Sequence, residues 1–84
     1  MYILSKDKSN LVEASNIYIK KETVLERHVN VTRYRIYAES RKRSEEEKTE
    51  DFLMGSYRYY EEAAKEVERI ADALSSGATV YKIS

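Results

Sequence analysis

The chain has no cysteine, no proline and no tryptophan, and it has two glycines. Without Cys there is no disulfide, no thiolate metal site and no cysteine nucleophile. That composition suits a reducing compartment. Gly55 and Gly77 stand alone, whereas a P-loop or a dinucleotide fingerprint needs several glycines at fixed spacing. A nucleotide held by side chains at an oligomer interface stays open. His28 is the one imidazole, which excludes a multi-histidine metal site. An excess of either charge is also missing: fifteen basic and fifteen acidic residues cancel. A dedicated duplex DNA binder normally carries a basic surplus. No apolar run approaches a membrane span, and no signal-peptide pattern opens the sequence. The expectation is an intact, soluble, cytoplasmic protein.

What is present is one small domain, residues 1–84. A chain of this size buries only a little over ~60% of its unfolded surface. Such domains lean on disulfides, metals or self-association, and the absences above leave self-association. Charged residues make up 36% of the chain, yet its apolar residues and eight tyrosines fall in periodic runs that argue against disorder.

The clearest run is at the C-terminal end. Tyr60, Ala63, Ala64, Val67, Ile70, Ala71 and Leu74 recur at helical spacing and share one face. The spacing predicts a helix over about 59–76. Glu61 and Glu62 fall in its first turn, where the helix dipole favours them. No Ser, Thr, Asp or Asn precedes them, so the N-cap is weak. Gly77 is a good terminator because it tolerates the left-handed conformation. Thr79 to Ile83 has strand character.

Everything earlier reads as strands and charged connections. Residues 2–6 and 11–14 form short strands around the polar turn Lys6 to Asn10. In Asn16 to Lys20, Ile17 and Ile19 point one way and Tyr18 and Lys20 the other. Residues 22–39 pose a conflict. Val29 and Val31 are odd, whereas Tyr34, Ile36 and Ala38 are even, and one flat strand cannot bury both sets on one face. A bulge near Thr32, or a turn near His28–Asn30, resolves it. The favoured reading is a loop or hairpin arm over 22–31 and a strand over 32–39. Residues 40–51 carry Arg41-Lys42-Arg43, then Glu45-Glu46-Glu47, the composition of a charged, solvated loop. A charge-complementary contact to a partner protein is its functional alternative. Residues 51–57 form the next strand.

Ile3-Leu4-Ser5-Lys6-Asp7-Lys8 through Asn16-Ile17-Tyr18-Ile19, and Leu53-Met54-Gly55-Ser56-Tyr57 leading into Glu61-Glu62-Ala63-Ala64-Lys65-Glu66-Val67, resemble small uncharacterised α+β proteins of Gram-positive bacteria and their phages. The resemblance covers the two ends of the chain. It implies strands plus a helix and a link to mobile elements, but no activity. In such proteins a Thr often caps the helix where this chain has Tyr59.

Few residues suggest chemistry. His28, within Glu26-Arg27-His28-Val29-Asn30, could act as an acid–base group or pH sensor, but no nucleophile motif accompanies it, and it also reads as a polar residue of the arm. Glu61, Glu62, Glu66, Glu68 and Asp72 fall mainly on the polar helix face, interleaved with Lys65 and Arg69, and lack any EF-hand spacing. No catalytic residue, metal site or cofactor is assigned.

The tyrosines and arginines are the better lead. Tyr18 and Lys20 share one strand face, and Arg33, Arg35 and Tyr37 share the face opposite Tyr34, Ile36 and Ala38. If the helix covers the isoleucines, these five stand on the open face. Aromatics beside cations stack bases and pair phosphates, form protein interfaces, or serve as ordinary sheet surface. Arg58 and Tyr59, at the strand-to-helix junction, are secondary candidates. Tyr57, Tyr59 and Tyr60 there read either as a hydrophobic staple or as an aromatic edge for a partner.

The expected fold is α+β: an antiparallel sheet of four to five strands, one face covered by a C-terminal amphipathic helix, then a short strand. Its core should include Ile3, Ile17, Ile19, Ile36, Phe52, Met54, Val67, Ile70 and Leu74. The expected assembly is a homodimer or higher oligomer through an edge strand or the open face. The expected function is a non-catalytic interaction protein with a protein partner. The phage or prophage accessory or inhibitor role comes from the resemblance. The alternative is an oligomeric module that sequesters a small anionic ligand such as a nucleotide.

Overall fold

The computed structural model describes residues 1–41 and 49–84. Among them run β1 (Tyr2–Leu4), β2 (Leu11–Glu13), β3 (Asn16–Glu26), β4 (Val29–Arg41), β5 (Thr49–Tyr57), α1 (Tyr60–Ser75) and β6 (Val80–Lys82). The class is α+β, but the strands form two three-stranded sheets, β2-β1-β6 and β3-β4-β5, rather than one sheet of four to five. The reason lies in how the short strands pair. The Lys6–Asn10 turn folds β2 back on β1, antiparallel with Ile3 opposite Val12. β6 then lies parallel to β1 instead of extending the large sheet. Backbone bonds from Lys6 N to Met54 O at 2.8 Å and from Ser15 N to Glu39 O at 2.8 Å tie the small sheet to β5 and β4.

The large sheet is built on a long hairpin. β3 and β4 pair without interruption from Asn16↔Glu39 to Glu26↔Val29. Arg27 and His28 make the turn, with φ of 50° and 65°, the left-handed pair of a type I′ two-residue hairpin. β5 pairs with β4 only as far as Tyr34. Residues 22–31 therefore lie in a two-stranded arm that overruns β5. That resolves the parity conflict. Val29 and Val31 stay in register and face the open side, and no bulge occurs near Thr32. The register shift falls instead at Ile36/Tyr37, where β5 steps from Gly55 to Leu53, so Met54 is the extra residue and turns into the core, 1% exposed. Strand extends into the expected 40–51 loop from both sides, over Ser40–Arg41 and Thr49–Asp51. The rest of that loop lies outside the described residues.

The core lies between α1 and the two sheets. Ile3, Val12, Ile36, Ala38, Met54, Tyr57, Ala63, Ile70 and Ile83 are buried. Ile17, Ile19, Phe52 and Val67 are only partly buried and pack around them. Three expectations from the helix stripe fail, Ala71 among them, which is exposed. Leu74 is 60% exposed and Tyr60 54%, because the helix ends project past the residues that cover its middle. Tyr60 packs edge-to-face with Tyr34, ring centroids 5.8 Å apart. Tyr59 occupies the N-cap position without a side-chain cap bond. At the other end Ala78 N bonds Ala73 O at 2.9 Å and Gly77 N bonds Leu74 O at 3.1 Å, with Gly77 at φ 83°. This is a Schellman closure.

Candidate functional site

Period-2 geometry puts all five candidate residues on the face of β3-β4-β5 away from the buried Ile36 and Ala38. Tyr18 lies opposite Tyr37 and Lys20 opposite Arg35. The Tyr18 and Tyr37 rings stack with centroids 5.6 Å apart and 19° between planes. Leu53, opposite Tyr37 on β5, is 38% exposed and adds an apolar shoulder.

The same register adds two carboxylates that sequence reasoning missed. Glu22 faces Arg33 across the hairpin. It accepts a hydrogen bond from the Tyr37 hydroxyl and lies 3.7 Å from Arg35 Nη1. Glu26 pairs with Arg33 Nη2 at 2.8 Å. Both arginines are thus engaged within the face, while Lys20 is exposed. Burial, then the bond to Glu22, raises the Tyr37 hydroxyl above its ordinary pKa. Burial, then a hydrogen bond to Asp51, does the same for Tyr18. The buried Arg35 Nε has no hydrogen-bond partner among the described residues. The even numbering of Glu22 and Glu26 was the available signal, but only the hairpin register brings them to the odd-numbered arginines.

The secondary pair, Arg58 and Tyr59, is exposed at the β5–α1 junction, as an edge separate from the five-residue face. His28 sits exposed in the hairpin turn.

A polar cluster arises elsewhere, and its centre is Glu66. Expected on the solvated helix face, Glu66 is 1% exposed. It follows Ala63 by three and precedes Ile70 by four, which puts it on the buried stripe; that spacing was the overlooked signal. Its carboxylate accepts from Tyr81 Oη at 2.6 Å, Arg69 Nη1 at 3.0 Å and Ser84 Oγ at 3.2 Å. Beside it, Lys6, Lys65, Arg69, Glu62, Tyr57 and Ser84 line a recess of about 260 Å³. The Tyr57 hydroxyl is buried there without a partner among the described residues, and Lys6 Nζ stands 5.0 Å from the Tyr57 ring centroid. Burial, then the Glu66 charge, pushes the Tyr57 hydroxyl up to about 12.

Among the described residues no cluster of three or more His, Cys, Asp or Glu is arranged to hold a metal ion, and no helix is long and apolar enough to cross a membrane. No protein-family model, curated protein or solved structure matches the chain.

Proposed function

We propose that this chain is a non-catalytic interaction protein that works by occupying a partner's surface with the open face of β3-β4-β5. The observation that carries the reading is the Tyr18–Tyr37 stack, with Tyr37 fixed by Glu22 and flanked by Leu53. Rigid aromatic side chains lose little entropy on binding, and Tyr and Arg recur at interface hot spots. With Arg33 and Arg35 neutralised by Glu26 and Glu22, a phosphate backbone is a poorer fit than another protein. The accessory or inhibitor role in a phage or prophage rests on the resemblance of the two chain ends, and a cytoplasmic location on composition. The test is affinity capture from host cells with wild type and with Tyr18→Ala and Leu53→Asp, both on partly exposed positions. A specific protein lost from both variants, with folding intact by circular dichroism, supports this face. Equal capture by all three removes it.

A second reading, binding of a small anion, is favoured by the Tyr57 hydroxyl, unpartnered among the described residues, beside a recess where Lys6, Lys65 and Arg69 outnumber the carboxylates of Glu62 and Glu66. At about 260 Å³ the recess falls below the usual range of ligand pockets, about 300–1,000 Å³, and its size suits an ion no larger than a small carboxylate or phosphate. A ligand that prefers the native state raises its melting temperature. Small carboxylates and inorganic phosphate should therefore stabilise wild type more than Tyr57→Phe. A flat response at millimolar anion counts against this reading.

A further inference from the structure

We infer that two copies of this chain pair antiparallel along β3, with the two-fold axis at Lys21, to make one six-stranded sheet. This edge is a different surface from the open face, so either can fail without the other.

The first observation is backbone accounting. A two-residue turn makes Glu26↔Val29 a hydrogen-bonded pair. With the register unbroken to Asn16, the even residues of β3 bond to β4. Ile17, Ile19, Lys21, Thr23 and Leu25 then point their N–H and C=O groups outward. Among the described residues β3 ends its sheet and no strand covers that row. A long open edge attracts another strand.

The second observation is an apolar mismatch that a second copy removes. Leu25 is 70% exposed on the overrunning arm, on the same face as Ile17. At the other end of β3 an apolar groove of about 280 Å³ opens beside Ile17, lined also by Met1, Ala14, Val67, Ala71 and Leu74. Pairing about Lys21 puts Leu25 of each copy directly opposite Ile17 of the other, at the mouth of that groove. It gives the exposed Leu74 an apolar neighbour.

The third observation is charge. The same register sets Lys20 opposite the second copy's Glu22, twice, on the open face. It also opposes Ile19 to Thr23 and uses all eleven residues of β3. Moving the axis by one residue would set Lys20 against Lys20, or Glu22 against Glu22. The two Lys21 side chains meet at the axis, where their stems carry the ammonium groups out to water. Joined this way, the two open faces become one continuous surface.

The absence of native cysteine makes the register directly testable. Cα atoms of a directly opposed pair are about 5.5 Å apart, within disulfide reach. Light scattering should give twice the 9.9 kDa chain mass. Mild oxidation of Lys21→Cys should trap a covalent dimer, whereas Thr32→Cys, on β4, should stay monomeric. Lys20→Glu and Leu25→Glu, both at exposed positions, should each weaken the dimer by about tenfold or more. Lys20→Glu combined with Glu22→Lys should recover affinity relative to Lys20→Glu alone. A monomer at every attainable concentration overturns the proposal. So does a dimer that Lys21→Cys fails to trap and that neither Lys20→Glu nor Leu25→Glu weakens.

Discussion

The Tyr81 hydroxyl donates a 2.6 Å hydrogen bond to Glu66, joining β6 to the buried side of α1. This contact crosses from the last strand to the helix, within the polar cluster that Arg69 and Ser84 complete. Glu66→Ala removes the acceptor and leaves the Tyr81 hydroxyl, 2.6 Å away in the wild type, without its partner. Arg69 is 60% exposed and returns to water, so the substitution does not strand a buried charge. Tyr81 is only partly buried, so the expected loss is about 1 kcal/mol, the net worth of a hydrogen bond, read by urea denaturation. An unchanged midpoint would show that water replaces the carboxylate.

The same cluster predicts an alkaline transition. Burial, then the bond to Glu66, lifts Tyr81 to about 12, and burial lifts Tyr57 to about 12, from the usual 10.0. Folding thus favours the neutral phenols. Their contribution is complete below pH 10.0 and is lost as pH rises toward 12. Ultraviolet titration should show these tyrosines ionising late, together with loss of structure. Titration of all tyrosines near 10 in a still-folded chain would contradict the packing of both rings.

Gly55 is buried beneath Tyr57. A Cβ at this position would lie 3.0 Å from Tyr57 Cε2 and 3.1 Å from its hydroxyl. Gly55→Ala must displace a ring that is 8% exposed, with an expected cost of about 1–3 kcal/mol, as for overpacking. Thermal unfolding should place it well below Ser56→Ala, whose position is exposed.

The turn between β1 and β2 carries an acid-sensitive element. Asp7 accepts from Ser5 Oγ at 2.7 Å, Ser9 N at 3.0 Å and Ser9 Oγ at 2.6 Å. These bonds, those from Ser9 foremost, hold its carboxyl at about 2, below the usual 3.8. The stabilisation is full above 3.8 and is lost as pH falls toward 2. Carboxyl NMR of Asp7 should give a midpoint near 2 in wild type and a higher one in Ser9→Ala. A midpoint near 3.8 in wild type would mean the turn is open.

Much of this was legible in the sequence because it is local. Ala63, Val67 and Ile70 announce the helix, Gly77 announces its end, and Ile17 and Ile19 separate cleanly from Tyr18 and Lys20. What was not legible depends on pairing at a distance. Nothing in Val80-Tyr81-Lys82 says that it lies parallel to β1 and splits the strands into two sheets. Val29 and Val31 conflict with Ile36 only if one cover spans the whole strand, and the arm's overrun of β5 removes that assumption. Leu74 and Tyr60 fit the helix period, yet the helix ends reach past their cover. On the candidate face the residues were legible, but Glu22 and Glu26 as partners of Arg35 and Arg33 follow from the hairpin register.

The central claim about assembly is that two copies pair along β3, and amide hydrogen exchange along that strand tests it most directly. In a lone chain, the outward amides of Ile19, Lys21 and Thr23 exchange quickly and those of Lys20 and Glu22 slowly. In the paired sheet both sets are protected. The account predicts uniform protection from Ile19 to Thr23 at concentrations where the dimer forms, reverting to alternation in Leu25→Glu. Alternation in the wild type at every concentration would contradict it.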